Sequence, residues 1–103
     1  MTLVVVTTLP TRKLAEQIAL RMVTEKLAAC AQIGPCVQSS FRWKGRISKS
    51  REYHVSFKTT SGLYKKLENA ICAHHPYEVP EVLAFRVSRG LPRYLRWIAS
   101  SLR

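Results

Sequence analysis

The period of the apolar positions changes repeatedly along this chain, and each change marks an element. Residues 2–8 form a continuous β-branched run around Val4, Val5 and Val6, which predicts a buried strand. Leu9-Pro10-Thr11 reads as a turn, with Thr11 placed to cap a helix. Over residues 12–28 the period becomes helical: Leu14, Ile18 and Met22 share a stripe with Ala15, Ala19 and Val23, and Leu27 extends it. Residues 30–43 return to extended spacing, with Val37, Ser39, Phe41 and Trp43 on one side and Cys36, Gln38, Ser40 and Arg42 on the other. Gly34-Pro35 interrupts that strand and predicts a bulge or bend. Lys44-Gly45 makes a tight turn into a third strand over residues 47–58, in which Tyr53, Val55 and Phe57 alternate with polar positions. Ser61 is expected to cap a helix over residues 62–74, whose apolar side carries Leu63, Leu67, Ala70 and Ile71. A fourth strand follows over residues 81–87, Gly90 breaks it, and Pro92 opens a helix running to residue 103.

The order β-α-β-β-α-β-α contains two crossovers flanking a hairpin. That is the split βαβ, ferredoxin-like α+β arrangement, here with an added C-terminal helix. Right-handed crossovers put both main helices on one face of a four-stranded antiparallel sheet. The other face is expected to be open and to carry Phe41, Trp43 and Tyr53. A symmetric partner subunit is the economical cover for it.

A chain of 103 residues forms one domain, spanning residues 1–103, and its 47% hydrophobic content is ordinary for a globular protein. No apolar run approaches a membrane span, and no basic, apolar leader opens the sequence, so a soluble protein without a cleaved signal is expected. Cys30, Cys36 and Cys72 are odd in number and lack C-x-x-C spacing. They read as reduced thiols, which suggests a cytoplasmic protein. The net charge of +11, with no aspartate, raises the question of an anionic partner. The cations are scattered over all elements, and the aromatic strand motif of RNA-recognition domains is absent, so sequence-specific nucleic-acid binding is not expected.

Candidate chemistry gathers in His74-His75-Pro76-Tyr77-Glu78-Val79-Pro80-Glu81. Pro76 ends the preceding helix and pushes His75 towards extended geometry. Two imidazoles and two carboxylates on a connector stiffened by proline suggest a metal site or another binding site. The same histidines are also favoured simply as helix C-terminal residues, where they complement the dipole. Adjacent helical residues point about 100° apart, so one ion can take both only if the helix has unwound at His75. No Gly-rich phosphate loop and no marked nucleophile–base pair is present, so an enzyme is not expected.

Leu27-Ala28-Ala29-Cys30, Trp43-x-Gly45, Lys58-Thr59, His75-Pro76-Tyr77 with Pro80-Glu81, and Tyr94-Leu95-x-Trp97 together resemble the bacterial CutA divalent-cation tolerance family, in order and spacing, over essentially the whole chain. The resemblance implies the ferredoxin-like fold and a tight homotrimer similar to the nitrogen-regulatory PII proteins, with hairpins extending the sheets of neighbouring subunits. It implies a role in tolerance of copper or another divalent metal such as zinc. The metal ligands it implies are His74 and His75, with a cysteine on the first strand. This chain has Thr7 at that strand position, and thiolate is the ligand that best selects Cu(I). Cys36 stands where the family commonly has glycine. The resemblance also places Trp43, Lys58, Tyr77 and Glu81 around a cleft between subunits. Two functions follow as expectations: a metal-response protein that binds metal weakly or moderately through the His pair, or a trimeric scaffold or signalling protein that senses a small ligand or docks a partner at those clefts.

Overall fold

The structure, a computed structural model, describes residues 1–103. The β-branched run forms β1 (Thr2–Leu9), followed by α1 (Arg12–Thr24), β2 (Cys30–Trp43), β3 (Arg46–Thr60), α2 (Tyr64–His74), β4 (Leu83–Arg86) and α3 (Pro92–Ser101). The strands make one sheet in the order β2-β3-β1-β4, and every neighbouring pair is antiparallel. This is the expected ferredoxin-like α+β topology. No helix is long and apolar enough to cross a membrane.

Alternation along the strands sets the two faces. Val5 and Leu9 of β1 and Val55 and Phe57 of β3 are buried against Ile18 and Met22 of α1 and Leu67 and Ile71 of α2. The other face is not wholly open. Ile98 is buried outside that core, and α3 lies against β3 and β1. Tyr94 meets Cys30. Cys30 pairs with Lys58, which alternates with the core residues Phe57 and Thr59 and so faces away from α1 and α2. The stripe Leu95, Ile98 and Leu102 is the side that α3 lays down on the sheet. The chain's own last helix therefore roofs part of the face that alternation alone left open.

The Gly34-Pro35 bulge decides which side the hairpin aromatics take. Ile33 pairs with Val55 but Cys36 pairs with Tyr53, so two residues of β2 stand opposite one of β3. The extra residue flips the alternation. Val37, Ser39, Phe41 and Trp43 consequently point away from α1 and α2, together with Ser48, Ser50 and Glu52 across the strand pair. Tyr53, expected on the open face with them, packs instead at the margin of the main core, because β3 continues without a shift. β1 pairs with β3 only from Tyr53 onwards, so residues 37–43 and 46–52 pair with each other alone and project as a two-stranded ribbon. The subunit is elongated accordingly, 45 × 26 × 23 Å.

Several helix ends differ from the periodic pattern. α1 stops at Thr24, short of residue 28, because Lys26 takes φ 58°. Leu27 N–H then donates to the Met22 carbonyl and Lys26 N–H to that of Val23, a Schellman stop without the usual glycine. Ser61 does not cap α2; a single 3-10 turn, Ser61–Leu63, leads into it, and the Tyr64 N–H donates to the Ser61 carbonyl. Thr11 does cap α1, through Oγ1 to the Leu14 N–H at 3.2 Å. β4 is shorter than expected, Leu83–Arg86, and α3 ends at Ser101.

Candidate functional site

The end of β1, the middle of β3 and the α2–β4 connector converge on one carboxylate. Glu52 is 7% exposed. Its Oε2 accepts hydrogen bonds from Thr8 Oγ1 at 3.1 Å and from the Tyr77 hydroxyl at 2.8 Å. Thr8 reaches it because Thr8 pairs with His54, two residues along the same face of β3. Tyr77 reaches it because Pro76 ends α2. His75 takes extended geometry there, φ −91° and ψ 136°, and turns the chain over the end of β1.

His75 locks that turn with both ring nitrogens. The Tyr77 N–H donates to Nδ1 at 3.1 Å, so Nδ1 carries no proton. Nε2 therefore carries it and donates to the Thr8 carbonyl at 2.7 Å. The rings of His75 and Tyr77 lie 4.8 Å apart, tilted by 49°. Burial pushes the His75 pKa below its ordinary value, against smaller opposing contributions from the Thr8 carbonyl and Glu52, so the ring stays neutral at pH 7. Burial alone would raise the Glu52 carboxyl. Hydrogen bonds from Ser39, Tyr77 and Thr8 outweigh it and hold the group below the usual carboxylate range. Tyr77 is pushed up to about 12 by burial and by its bond to Glu52. The cluster thus holds one anion, Glu52, under neutral donors.

The expected site residues separate around this cluster. His74 is exposed and turned towards α1, beside Leu14, Gln17 and Arg21. The two imidazoles diverge, and His75 has no free nitrogen. No group of three or more His, Cys, Asp or Glu in the subunit is placed to hold a metal ion. A metal ion therefore does not fit the His pair as it stands: His75 must first give up the Thr8 or the Tyr77 bond. Thr7 Oγ1 is fully buried and has no hydrogen-bond partner. Trp43 lies at the ribbon tip, where it pairs with Arg46. Lys58, with Nζ donating to Gln32 Oε1, lies at the opposite end of β3. Each is six residues from Glu52 along the strand, about 20 Å. Within one subunit, Trp43, Lys58 and Tyr77 do not line a common cleft; Tyr77 alone of the three reaches Glu52. Glu81 is exposed on the connector.

Sequence reasoning missed Glu52 and Thr8. Glu52 sits at a polar position of an alternating strand, which reads as solvated. Its burial depends on Tyr77 arriving from 25 residues away.

Known proteins share this sequence pattern and fold. A family profile described as CutA1 divalent ion tolerance protein matches residues 3–101. The divalent-cation tolerance protein CutA of Thermus thermophilus is 39% identical over 92% of this chain and 92% of its own length. The chloroplastic protein CutA of Arabidopsis thaliana is 37% identical over 98% of this chain, which spans 56% of that longer protein. Among solved structures, the periplasmic divalent cation tolerance protein CutA of Archaeoglobus fulgidus superposes with a TM-score of 0.96 at 33% identity, with 100% of both chains covered. The Thermus thermophilus structure gives 0.93 at 39% identity over 95% of each chain. This chain belongs to the CutA1 divalent ion tolerance protein family.

Proposed function

We propose that this chain acts in divalent-cation tolerance as a cytoplasmic homotrimer and binds metal weakly or moderately through His74 and His75. The projecting ribbon carries this reading. An isolated pair of strands is marginal in water, yet residues 37–43 and 46–52 have no third strand. The side turned away from α1 and α2 carries Phe41 and Trp43, both about two-fifths exposed. A neighbouring subunit gives the ribbon both the missing strand and the apolar cover. The short edge strand β4, with Leu83 and Phe85 exposed, offers free backbone groups for such pairing. Static light scattering at micromolar concentration tests it: a trimer is expected, and a stable monomer overturns the reading. Trp43→Ala should weaken assembly before it unfolds the subunit.

Metal binding in this reading competes with the His75 latch. A borderline imidazole site helped by Glu78 or Glu81 oxygens suits Cu(II) or Zn(II). Part of the binding energy is spent in breaking a bond to Thr8 or Tyr77, which limits affinity. Titration calorimetry with Cu²⁺ on the wild type, His74→Ala and His75→Ala should show loss of binding in both variants. Undiminished binding in both rejects the His pair. One observation favours a second reading. Trp43 and Lys58 lie far on either side of the Glu52–Tyr77 cluster, so a cleft containing Trp43, Lys58, Tyr77 and Glu81 has to draw on more than one subunit. A small ligand sensed there makes the trimer a signalling protein rather than a metal binder.

A further inference from the structure

Residues 82–103 contain five arginines and no Asp, Glu or Lys. Within them α3 spends one side on the sheet: Ile98 is buried, with Leu95 and Leu102 half-buried beside it. At about 100° per residue, Arg93, Arg96, Trp97 and Ser100 fall within an arc of about 100° on the opposite side. All four are exposed. The Trp97 ring is 46% exposed and stacks on Tyr94, with centroids 5.5 Å apart and planes 24° from parallel. A hydrogen bond between the Tyr94 side chain and Cys30 ties the ring pair to β2. Arg93 lies one helical turn from Trp97, and Arg96 precedes it. Arg89, just before the helix, is exposed as well, and none of the three guanidiniums is paired with a carboxylate. The far side of α3 thus joins an anchored aromatic platform to unpaired cations.

We propose that the outer side of α3 binds single-stranded nucleic acid without reading its sequence, with Trp97 stacking on a base and Arg89, Arg93 and Arg96 on the flanking phosphates. Charge complementarity and the ring pair carry the proposal together, because single strands are held by cations along the backbone and aromatic platforms under the bases. A duplex keeps its bases stacked on one another, and an acidic peptide brings charge without the planar rings. A second copy of this chain is a poor occupant. Glu16, Glu25 and Glu68 are taken by ion pairs within their own helices and Glu52 is buried, so only Glu78 and Glu81 of its six glutamates are free to meet these arginines. A membrane surface calls for an apolar helix side to insert, and that side of α3 is spent on the sheet. The strand pairing proposed for the ribbon and β4 runs along sheet edges, whereas these side chains point away from the sheet. The proposal depends neither on that pairing nor on metal binding.

The test is fluorescence anisotropy of labelled oligo(dT) and oligo(U), each of about 12 bases, against the whole chain at rising NaCl. Three phosphate contacts on a single strand give a salt slope near −2.1, so affinity should fall about 18-fold between roughly 50 and 200 mM salt. Arg93→Gln/Arg96→Gln should lose about 1.4 units of that slope, at roughly 0.7 for each contact. Lys13→Gln/Lys66→Gln removes the same charge from the outer helices and should leave the slope unchanged. Trp97→Ala should weaken binding at least about fivefold with the slope kept, because stacking releases no counterions, and Trp97→Phe should restore most of it. Equal loss of slope in the two double variants overturns the proposal in favour of bulk charge. So does absence of binding to either oligonucleotide at low salt, tighter binding of a duplex, or equal binding of polyglutamate. Light scattering on Trp97→Ala supplies the last check: loss of the oligomer overturns the proposal by making Trp97 a contact between copies.

Discussion

At the scale of single residues, the site is a neutral lock around one carboxylate, and its protonation states set its pH limits. The His75 pKa is lowered in the folded chain, so as pH falls the unfolded chain takes up that proton first. The His75 contribution is whole above about pH 6.5 and is lost as pH falls through the lower folded value. Glu52, also lowered, adds a second loss at more acidic pH. Tyr77, raised to about 12, contributes below about pH 10 and loses that contribution as pH rises towards 12. Thermal midpoints should therefore fall between pH 7 and 5, and His75→Gln should flatten that part of the profile. Tyr77→Phe removes a donor to a buried anion and should cost about 1.5–3 kcal/mol by urea denaturation. Thr7 makes the converse case. Its buried hydroxyl has no partner, so Thr7→Val should stabilise by roughly 1 kcal/mol. Thr7→Cys tests strand 1 as a ligand position: Cu(I) affinity, read against a competing chelator, should rise if Thr7 faces the histidines. The histidines and Tyr77 were legible in the sequence because proline punctuates them. Glu52 was not, because alternation says which side a residue takes and not what later arrives to cover it.

At the scale of elements, the order of strands and helices was legible because each change of period is sharp and Pro or Gly stands at most boundaries. What escaped were stops made by backbone geometry without those residues. The apolar stripe of α1 runs on through Leu27, but Lys26 ends the helix in the left-handed region. The destination of α3 also escaped, since an amphipathic stripe shows that a helix will be covered and not which sheet face it will cover. The hairpin turn illustrates the cost of an unfavoured residue. Lys44 and Gly45 both have positive φ, 49° and 78°, as a type I′ turn requires. Gly45 suits that region and lysine does not. Lys44→Asn should stabilise the ribbon by about 0.5–1 kcal/mol, seen as a higher urea midpoint with unchanged slope. The lost contact of the Lys44 ammonium with the Trp43 ring, 5.8 Å from its centroid, offsets part of that gain.

At the scale of the whole molecule, charge and shape pull against each other. Only three of the 17 Lys and Arg side chains are paired with glutamate, and all three pairs lie at the surface within one helix. Such pairs contribute little. The remaining cations repel one another across a chain of net charge +11, and assembly into the proposed trimer would bring three such charges together. In the proposed trimer the attraction opposing this is apolar and short-ranged, from the exposed Phe41 and Trp43 on the ribbon and Leu83 and Phe85 on the edge strand. Salt screens the repulsion and leaves the apolar contacts in place, because the Debye length shortens from about 30 Å at 0.01 M to about 8 Å at 0.15 M. The thermal midpoint should therefore rise between 10 and 150 mM NaCl, and the protein concentration needed for assembly should fall over the same range. A midpoint that falls with salt means that attractive ion pairs between subunits dominate, and then the exposed glutamates without an ion pair in the single chain, Glu78 and Glu81, become the residues to substitute first.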